Sequence, residues 1–338
     1  MARRGFVTAG TWCVDYNKLI ARWPDEDTSN EVLSIDRQGG GSACNMAIDI
    51  KRLDPTMPVE TIGLVGDDEN GRFLAGQCDE FGIKRSRLRL APGGATFSVD
   101  AFTVVNGLRT HLYHPGIAKA MSPDDFDFEN VQARVLHLGL PGAHQTMDAP
   151  WREDANGWVT VLKAARRQGV ETNLELMTTS AERLAALTRP CLPHLDTLIV
   201  NDFEIGAATG IETRLNGRTN FTAVRYAIGA ALALGPMRIV AAHFPEGAIA
   251  SAHDGVVVAI GSVALQESEI VGANGAGDAF AAGLLYGLHE SWDLRRALTL
   301  GHCAAAASMR AISTTAGVMG WRECMALGER SGFRDAPE

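Results

Sequence analysis

The sequence has 338 residues, 46% of them hydrophobic, with 31 basic and 40 acidic residues and a formal net charge of −9. That apolar share can bury a large core, and the acidic balance leaves no basic stripe of the kind that nucleic acid or an anionic membrane surface requires. Six scattered cysteines, with no Cys-x-x-Cys pair and no histidine at zinc-finger spacing, read as reduced thiols of a cytoplasmic protein.

Phe6 to Ala9 reads as the first strand; the apolar run behind Arg3 and Arg4 stops at Gly10, too short for a secretion signal. Further short runs rich in Val, Ile and Leu follow at Glu60 to Val65, Val135 to Leu138, Val170 to Leu174, Thr197 to Val200, Ile239 to Ala242 and Val256 to Ile260. Helical patterns fall between them at Ser42 to Leu53, Asn70 to Phe81, Val159 to Gln168, Asp202 to Thr209 and Phe221 to Leu234, and then at Ala279 to His289 and Leu294 to Ala311. Ser42, Asn70, Asp202 and Asp293 are the expected caps. Strands that alternate with helices imply an α/β fold with a mostly parallel central sheet flanked by helices.

Two stretches break that rhythm. Glu31 to Asp36 and Thr96 to Tyr113 alternate polar and apolar residues, the second around the turn pair Asn106 and Gly107, and suggest a small β-sheet lid. With no internal repeat and no Gly/Ser linker, residues 1–338 are expected to form one domain, with lid segments at approximately 11–38 and 96–115 inserted in it. The longest apolar helical stretches, Ala223 to Leu234 and Leu298 to Met309, are shorter than a bilayer needs, so no membrane partner is expected.

The stretch with the clearest chemistry is Gly272 to Gly283, where a Gly-rich turn runs straight into a helix. The backbone N–H groups of Gly275, Ala276 and Gly277 are free of bulky side chains and can close around an oxyanion, to which the helix N-terminus adds its positive dipole end. Asp278, at the mouth of that turn, is placed to take the proton of an alcohol as its oxygen attacks phosphorus. The same residues also suit a tight turn with Asp278 as a first-turn carboxylate favoured by the dipole. No Walker-type P-loop and no dinucleotide fingerprint are present, and the histidines form no compact ligand set.

This run resembles the Gly-Ala-Gly-Asp signature of the ribokinase-like (PfkB) carbohydrate kinase family. Other landmarks occur in order: Gly10 with Asp15, Gly40 to Ala47, Gly63 to Gly71, and Asn201 to Glu204. The resemblance implies a ribokinase-like fold and an ATP-dependent kinase that phosphorylates a hydroxyl of a sugar or sugar-like molecule, with Asp278 as base and the Gly275 to Gly277 amides as anion hole. Substrate contacts are expected from Asp15, Gly40, Gly41, Asn45 and, in the lid, Arg109. Asn201, Glu204, Gly247 and Asn274 are expected on the nucleotide side, with Glu204 acting on Mg²⁺ through water. Asn201 and Glu204 also fit a helix capping box. Relatives pair through their lids, so a homodimer is expected.

Three departures stand out. Gly272 and Ala273 replace the usual Asp-Thr pair, which leaves a monovalent-cation requirement open. Phe244 stands where a glycine is usual, and His114 to Ala118 replaces a Gly-Ala-Asn-like segment. Two alternatives therefore stay open: a nucleoside kinase of the same family, or a catalytically silent ligand-binding protein.

Overall fold

The computed structural model describes residues 3–105 and 109–338. In chain order, β1 (Phe6–Gly10) leads into a hairpin of β2 (Cys13–Ile20) and β3 (Val32–Gly40), then α1 (Ser42–Leu53), β4 (Val59–Gly66), α2 (Glu69–Glu80) and β5 (Lys84–Ala91). A second hairpin, β6 (Ser98–Val104) and β7 (Arg109–His114), precedes β8 (Val135–Gly139), α3 (Gln145–Asp148), α4 (Gly157–Arg167) and β9 (Glu171–Leu174). α5 (Ala181–Thr188), β10 (Thr197–Asn201) and α6 (Asp202–Thr209) follow, with the short pair β11 (Arg214–Leu215) and β12 (Arg218–Thr219) before α7 (Phe221–Leu232). The chain closes with β13 (Ile239–Phe244), β14 (Gly247–Ala252), β15 (Val257–Gly261), α8 (Ala276–His289), α9 (Leu294–Ser308) and α10 (Trp321–Ser331).

Among the described residues the main sheet runs β15-β14-β13-β10-β9-β8-β1-β4-β5. It is parallel from β5 to β13 and antiparallel over β13, β14 and β15. β1 lies between β4 and β8, so the winding reverses there, and the crevice at the carboxyl ends of these strands is where an open α/β sheet takes its ligand. One face of the sheet carries α1, α8, α9 and α10 over Phe6, Trp12, Met46 and Phe280; the other carries α4 to α7 over Trp158, Leu198 and Val240. Phe6, Trp12 and Trp158 are at most 1% exposed, so both layers contribute core to the same sheet.

The seven strands read from apolar runs are present to within about a residue at each end, as the pattern argument allows. β2, β5 and β14 add to them. β5 carries Lys84, Arg85, Arg87 and Arg89 at the sheet edge, where charge protects an unpaired ladder, and so hides its strand character. The small sheet runs β3-β2-β6-β7, with β2 parallel to β6. The turn pair Asn106 and Gly107 lies outside the described residues.

Three expected caps, Ser42, Asn70 and Asp202, move by one or two residues. Gly41, not Ser42, is the cap of α1; Asp68, not Asn70, caps α2, its carboxylate accepting from the Gly71 N–H at 2.8 Å and from the Thr96 hydroxyl. Asp68 wins because it ties the helix start to the distant segment leading into β6 as well as to its own first turn. Asn201 caps α6 and Asp293 caps α9.

At the reversal point Gly10 has φ 112°, and a Cβ there would stand 1.6 Å from the Gly139 carbonyl oxygen. Gly10→Ala is expected to destabilise the protein by about 2–3 kcal/mol, read as a lower denaturant midpoint at unchanged slope.

Candidate active site

The Gly-rich turn enters α8 through Gly275, whose φ of 79° is left-handed and whose missing Cβ leaves room for the Thr314 carbonyl, 2.3 Å from where that atom would be. The N–H groups of Val271 and Gly272 both donate to the Met309 carbonyl, at 2.9 and 3.2 Å, which anchors the approach to the turn. The Ala276 N–H makes a long 3.4 Å bond to Ala273, while those of Gly277 and Asp278 have no backbone acceptor among the described residues. Unmatched donors at a helix N-terminus form a ready anion site.

Asp278 sits in the first turn of α8. Asn45 of α1 donates from Nδ2 to its Oδ2 at 2.8 Å, and Thr314 donates to Asn45 Oδ1 at 3.2 Å. The structure thus brings together two predicted residues 233 positions apart. Asn45 enters through Gly41, which has φ 88° and would place a Cβ 2.6 Å from the Thr11 carbonyl. At Gly40 a Cβ would stand 2.3 Å from Asp15 Oδ2, so the glycine is what lets the Asp15 carboxylate seat against β3. Cys13 donates to Asp15 at 3.4 Å. Burial pushes the Cys13 thiol far above its ordinary pKa, with the charges of Asp15, Cys44 and Asp278 adding to the rise.

Behind Asp278 lies a group the sequence reading missed. The Glu175 side chain, just past β9, hydrogen-bonds that of Asp278, and its Oε2 lies 2.7 Å from His137 Nε2; Asn173 meets His137 Nδ1 at 3.0 Å. Burial and the Asp278 charge lift Asp49 as well, a wholly buried α1 carboxyl with neither oxygen partnered. Burial opposes charge on both carboxyls of this hydrogen-bonded pair, and the Glu175 charge adds to the opposition at Asp278, so the pair as a whole is raised above the carboxylate range; burial drops His137 to about 4. The signal for Glu175 was available, since it follows a strand at the same sheet edge that located Asn201 and Glu204.

Asn201 and Glu204 form the capping box: the Asn201 side chain accepts from the Glu204 N–H at 2.8 Å, and Glu204 Oε2 accepts from the Asn201 N–H at 3.0 Å. Glu204 Oε1 accepts from the Thr178 hydroxyl at 2.8 Å. Both carboxylate oxygens are engaged, yet burial still raises its pKa. Next to it, buried Asp202 is held by Arg214 through two bonds of 2.8 and 2.7 Å.

A cavity of about 530 Å³, within the range of ligand pockets, opens from Ala276 and Gly277 between Phe280, His302, Phe244 and Ile270. Phe244 stacks on Phe221 at 5.2 Å, so its ring fills the wall where a glycine was expected. Arg334 closes another side; Phe333 bridges to Val263, the Arg334 N–H donates to the Ser262 carbonyl at 2.8 Å, and Arg225 holds the Pro337 carbonyl. Glu246 lines the cavity, whereas Gly247 begins β14 against Ile260. Asn274 immediately precedes Gly275, and Arg109 opens β7 opposite Thr103. Trp12 and Phe97 belong to the packed interior, Trp12 donating to Thr61 at 2.7 Å. A larger groove of about 820 Å³ between α5 and α6 is lined by none of Asp15, Asn45, Glu204 or Asp278, so it lies apart from this chemistry.

Residues 10–319 match the pfkB family carbohydrate kinase profile. The chain is 26% identical over 309 residues to 5-dehydro-2-deoxygluconokinase of Geobacillus kaustophilus, covering 89% of this chain and 86% of the relative. It is likewise 26% identical over 305 residues to the ATP-dependent ribose-1-phosphate kinase of Halopiger xanaduensis, covering 89% and 90%. Among solved structures, Arabidopsis thaliana ribokinase complexed with ribose and ATP superposes with a TM-score of 0.79 over 97% of this chain and 99% of that one, at 19% identity.

Burial raises the Asp202 pKa, but the Arg214 pair and the Thr219 hydroxyl outweigh it and leave it below its ordinary value. That stabilisation is present above the unfolded carboxylate value and is lost as pH falls through the lower folded one. Arg214 is 48% exposed, so Arg214→Ala is expected to cost only about 1–2 kcal/mol at pH 7 after allowance for screening. Urea titrations at stepped pH should show the deficit unchanged down to about pH 5 and shrinking below about pH 4.

Proposed function

The chain belongs to the pfkB family of carbohydrate kinases, a phosphotransferase acting on a sugar hydroxyl, and on that premise we propose how its residues carry the reaction. The observation that supports the reading most is the Asn45–Asp278 bond, which ties the carboxylate at the unmatched helix N-terminus to α1, whose cap Gly41 follows the Gly40 against which Asp15 is seated. ATP places its base in the cavity beside Phe280 and His302 and its phosphates at Ala276 and Gly277. The sugar or sugar-like acceptor lies between Asp15 and Asn45 under the small sheet, which acts as a lid inserted in a single kinase unit; Arg109 belongs to that lid.

Asp278 takes the acceptor O–H proton as that oxygen bonds to the γ-phosphorus and the bridging bond to ADP breaks. The Gly275 to Gly277 amides hold the charge that develops on the transferring group. Asn45 has one amide hydrogen left for the acceptor after bonding Asp278, so it aims the base as well as the substrate. Asn201, Asn274 and the Glu246–Gly247 turn border the nucleotide.

Both Glu204 oxygens already accept hydrogen bonds, and no group of three or more His, Cys, Asp or Glu among the described residues is arranged to hold a metal. That donor set fits Mg²⁺ carried by nucleotide phosphates and water, with Glu204 in its outer shell. When bound, the ion supplies charge neutralisation on the phosphates.

The face of the small sheet opposite Asp15 exposes Leu33, Ile35 and Leu112 at 48%, 62% and 55%. A second copy of the chain is the proposed cover for this apolar face, giving a homodimer. Among the described residues no helix is long and apolar enough to cross a membrane, and six buried free thiols suit the reducing cytoplasm.

The test is an ATP-to-ADP coupled assay with Mg²⁺ against 5-dehydro-2-deoxygluconate, ribose 1-phosphate, ribose, other sugar acids and nucleosides. Acceptor-dependent ADP is expected from a sugar or sugar acid. Asp278→Asn should lower kcat by about 10³-fold while calorimetric ATP affinity stays in place. Near-normal turnover in that variant would remove Asp278 from the role of base. EDTA should abolish turnover and excess Mg²⁺ restore it.

A further inference from the structure

The base does not stand alone at the floor of the cleft. Glu175 reaches it from the carboxyl end of β9, 19% exposed, and its side chain hydrogen-bonds that of Asp278. Two ionised carboxylates have no hydrogen to donate, so a hydrogen bond between them requires one proton to stay on the pair. Further groups surround the pair: His137 from β8 hydrogen-bonds Glu175 and is itself held by Asn173 from β9, while Glu204 from α6 and Asp49 from α1 act through space. Among the described residues no lysine or arginine makes an ion pair with either carboxyl, Glu175 pairing with His137 alone.

We propose that Glu175 is a positioning residue: it holds the shared proton against Asp278, which keeps the Asp278 carboxylate ionised and aimed at the acceptor hydroxyl. The inference rests on the reading of Asp278 as the base. Two contacts favour the proton on the Glu175 side. Asn45 donates to Asp278 Oδ2, and the positive end of α8 lies beside the same carboxylate. The Asn173 amide nitrogen at His137 Nδ1 leaves the Nε2–H to donate to Glu175 Oε2, and a protonated Glu175 keeps that oxygen as an acceptor while its O–H donates to Asp278.

The step balances without any further reagent. The acceptor O–H proton passes to Asp278 as the new O–P bond forms; both carboxyls are then neutral, and the pair returns one proton to solvent through the cleft after the product leaves.

The geometry makes Glu175→Gln a close mimic of protonated Glu175, since its amide N–H donates to Asp278 and its amide oxygen accepts from His137. Infrared difference spectra of the full-length protein at neutral pH need no substrate and come first. Wild type minus Glu175→Gln should show the carbonyl stretch of a protonated carboxyl, and wild type minus Asp278→Asn should show it too. Absence of that band from both differences overturns the proposal whether or not any sugar is turned over, which separates its failure from failure of the kinase reading. With the sugar that the coupled assay turns over, Glu175→Gln should keep kcat within about threefold of wild type, while Glu175→Leu lowers kcat by about 10²-fold at a KM changed by no more than about threefold. Equal loss in Gln and Leu variants would overturn it, and circular dichroism of the Leu variant checks that its loss is not loss of the fold.

Discussion

Everything at the site depends on one hydrogen bond between two helix starts. Asn45 stands in the first turn of α1 and Asp278 in the first turn of α8, and their 2.8 Å contact fixes how the two N-termini face each other. Each helix enters through a left-handed glycine, Gly41 or Gly275, that presses against a carbonyl a side chain would strike. Thr314 works on both sides of the joint: its carbonyl sets the clearance at Gly275, and its hydroxyl orients Asn45. A bond between a carboxylate and an amide, largely shielded from water, is stronger than a neutral pair and defines direction as well as distance. The packing of α1 on α8 within one apolar layer keeps that geometry from drifting.

The same joint concentrates acid. Asp15, Asp49, Glu175, Glu204 and Asp278 approach one another closely enough to shift each other's protonation or that of a neighbouring thiol, and the nearby histidine is neutral. Burial opposes charge on most of these groups, so the free site resolves the conflict by keeping protons. Asp49 is the clearest instance, since a wholly buried carboxyl with no partner is stable only when neutral. The opposite field here comes from the α8 N-terminus, where partial positive charge is built from backbone.

The frame of the fold was legible in the sequence because central parallel strands are continuous apolar runs and their crossover helices carry a 3.6-residue period. β5 was not, because an edge strand studded with arginine reads as surface, and β2 was not, because Asp15 and Asn17 put polar side chains at buried positions and break its apolar run. The glycines and Asp278 were legible as a turn entering a helix, and Asn201 and Glu204 as a cap. Glu175 and His137 were not, since a single glutamate and a single histidine carry no spacing; their meaning comes from three strands lying side by side. Phe244 was read as a break in the nucleotide site, and the structure gives it a stacking partner, Phe221, that no local pattern announces.

The cavity wall at Arg334 has a consequence for how the protein is made. Residues after α10 return to the far edge of the main sheet, where Phe333 pairs with Val263 and Arg225 grips the Pro337 carbonyl. A chain emerging from the ribosome can assemble β1, β4 and β8 early, but Asp278 joins them only with α8 and the cavity gains its wall at Arg334 only later still. Nucleotide can therefore stabilise the finished protein by mass action while giving no such help to the growing chain. The acidic, partly built floor must survive synthesis on its apolar packing alone, which places the burden of early stability on the two core layers and not on the ligand.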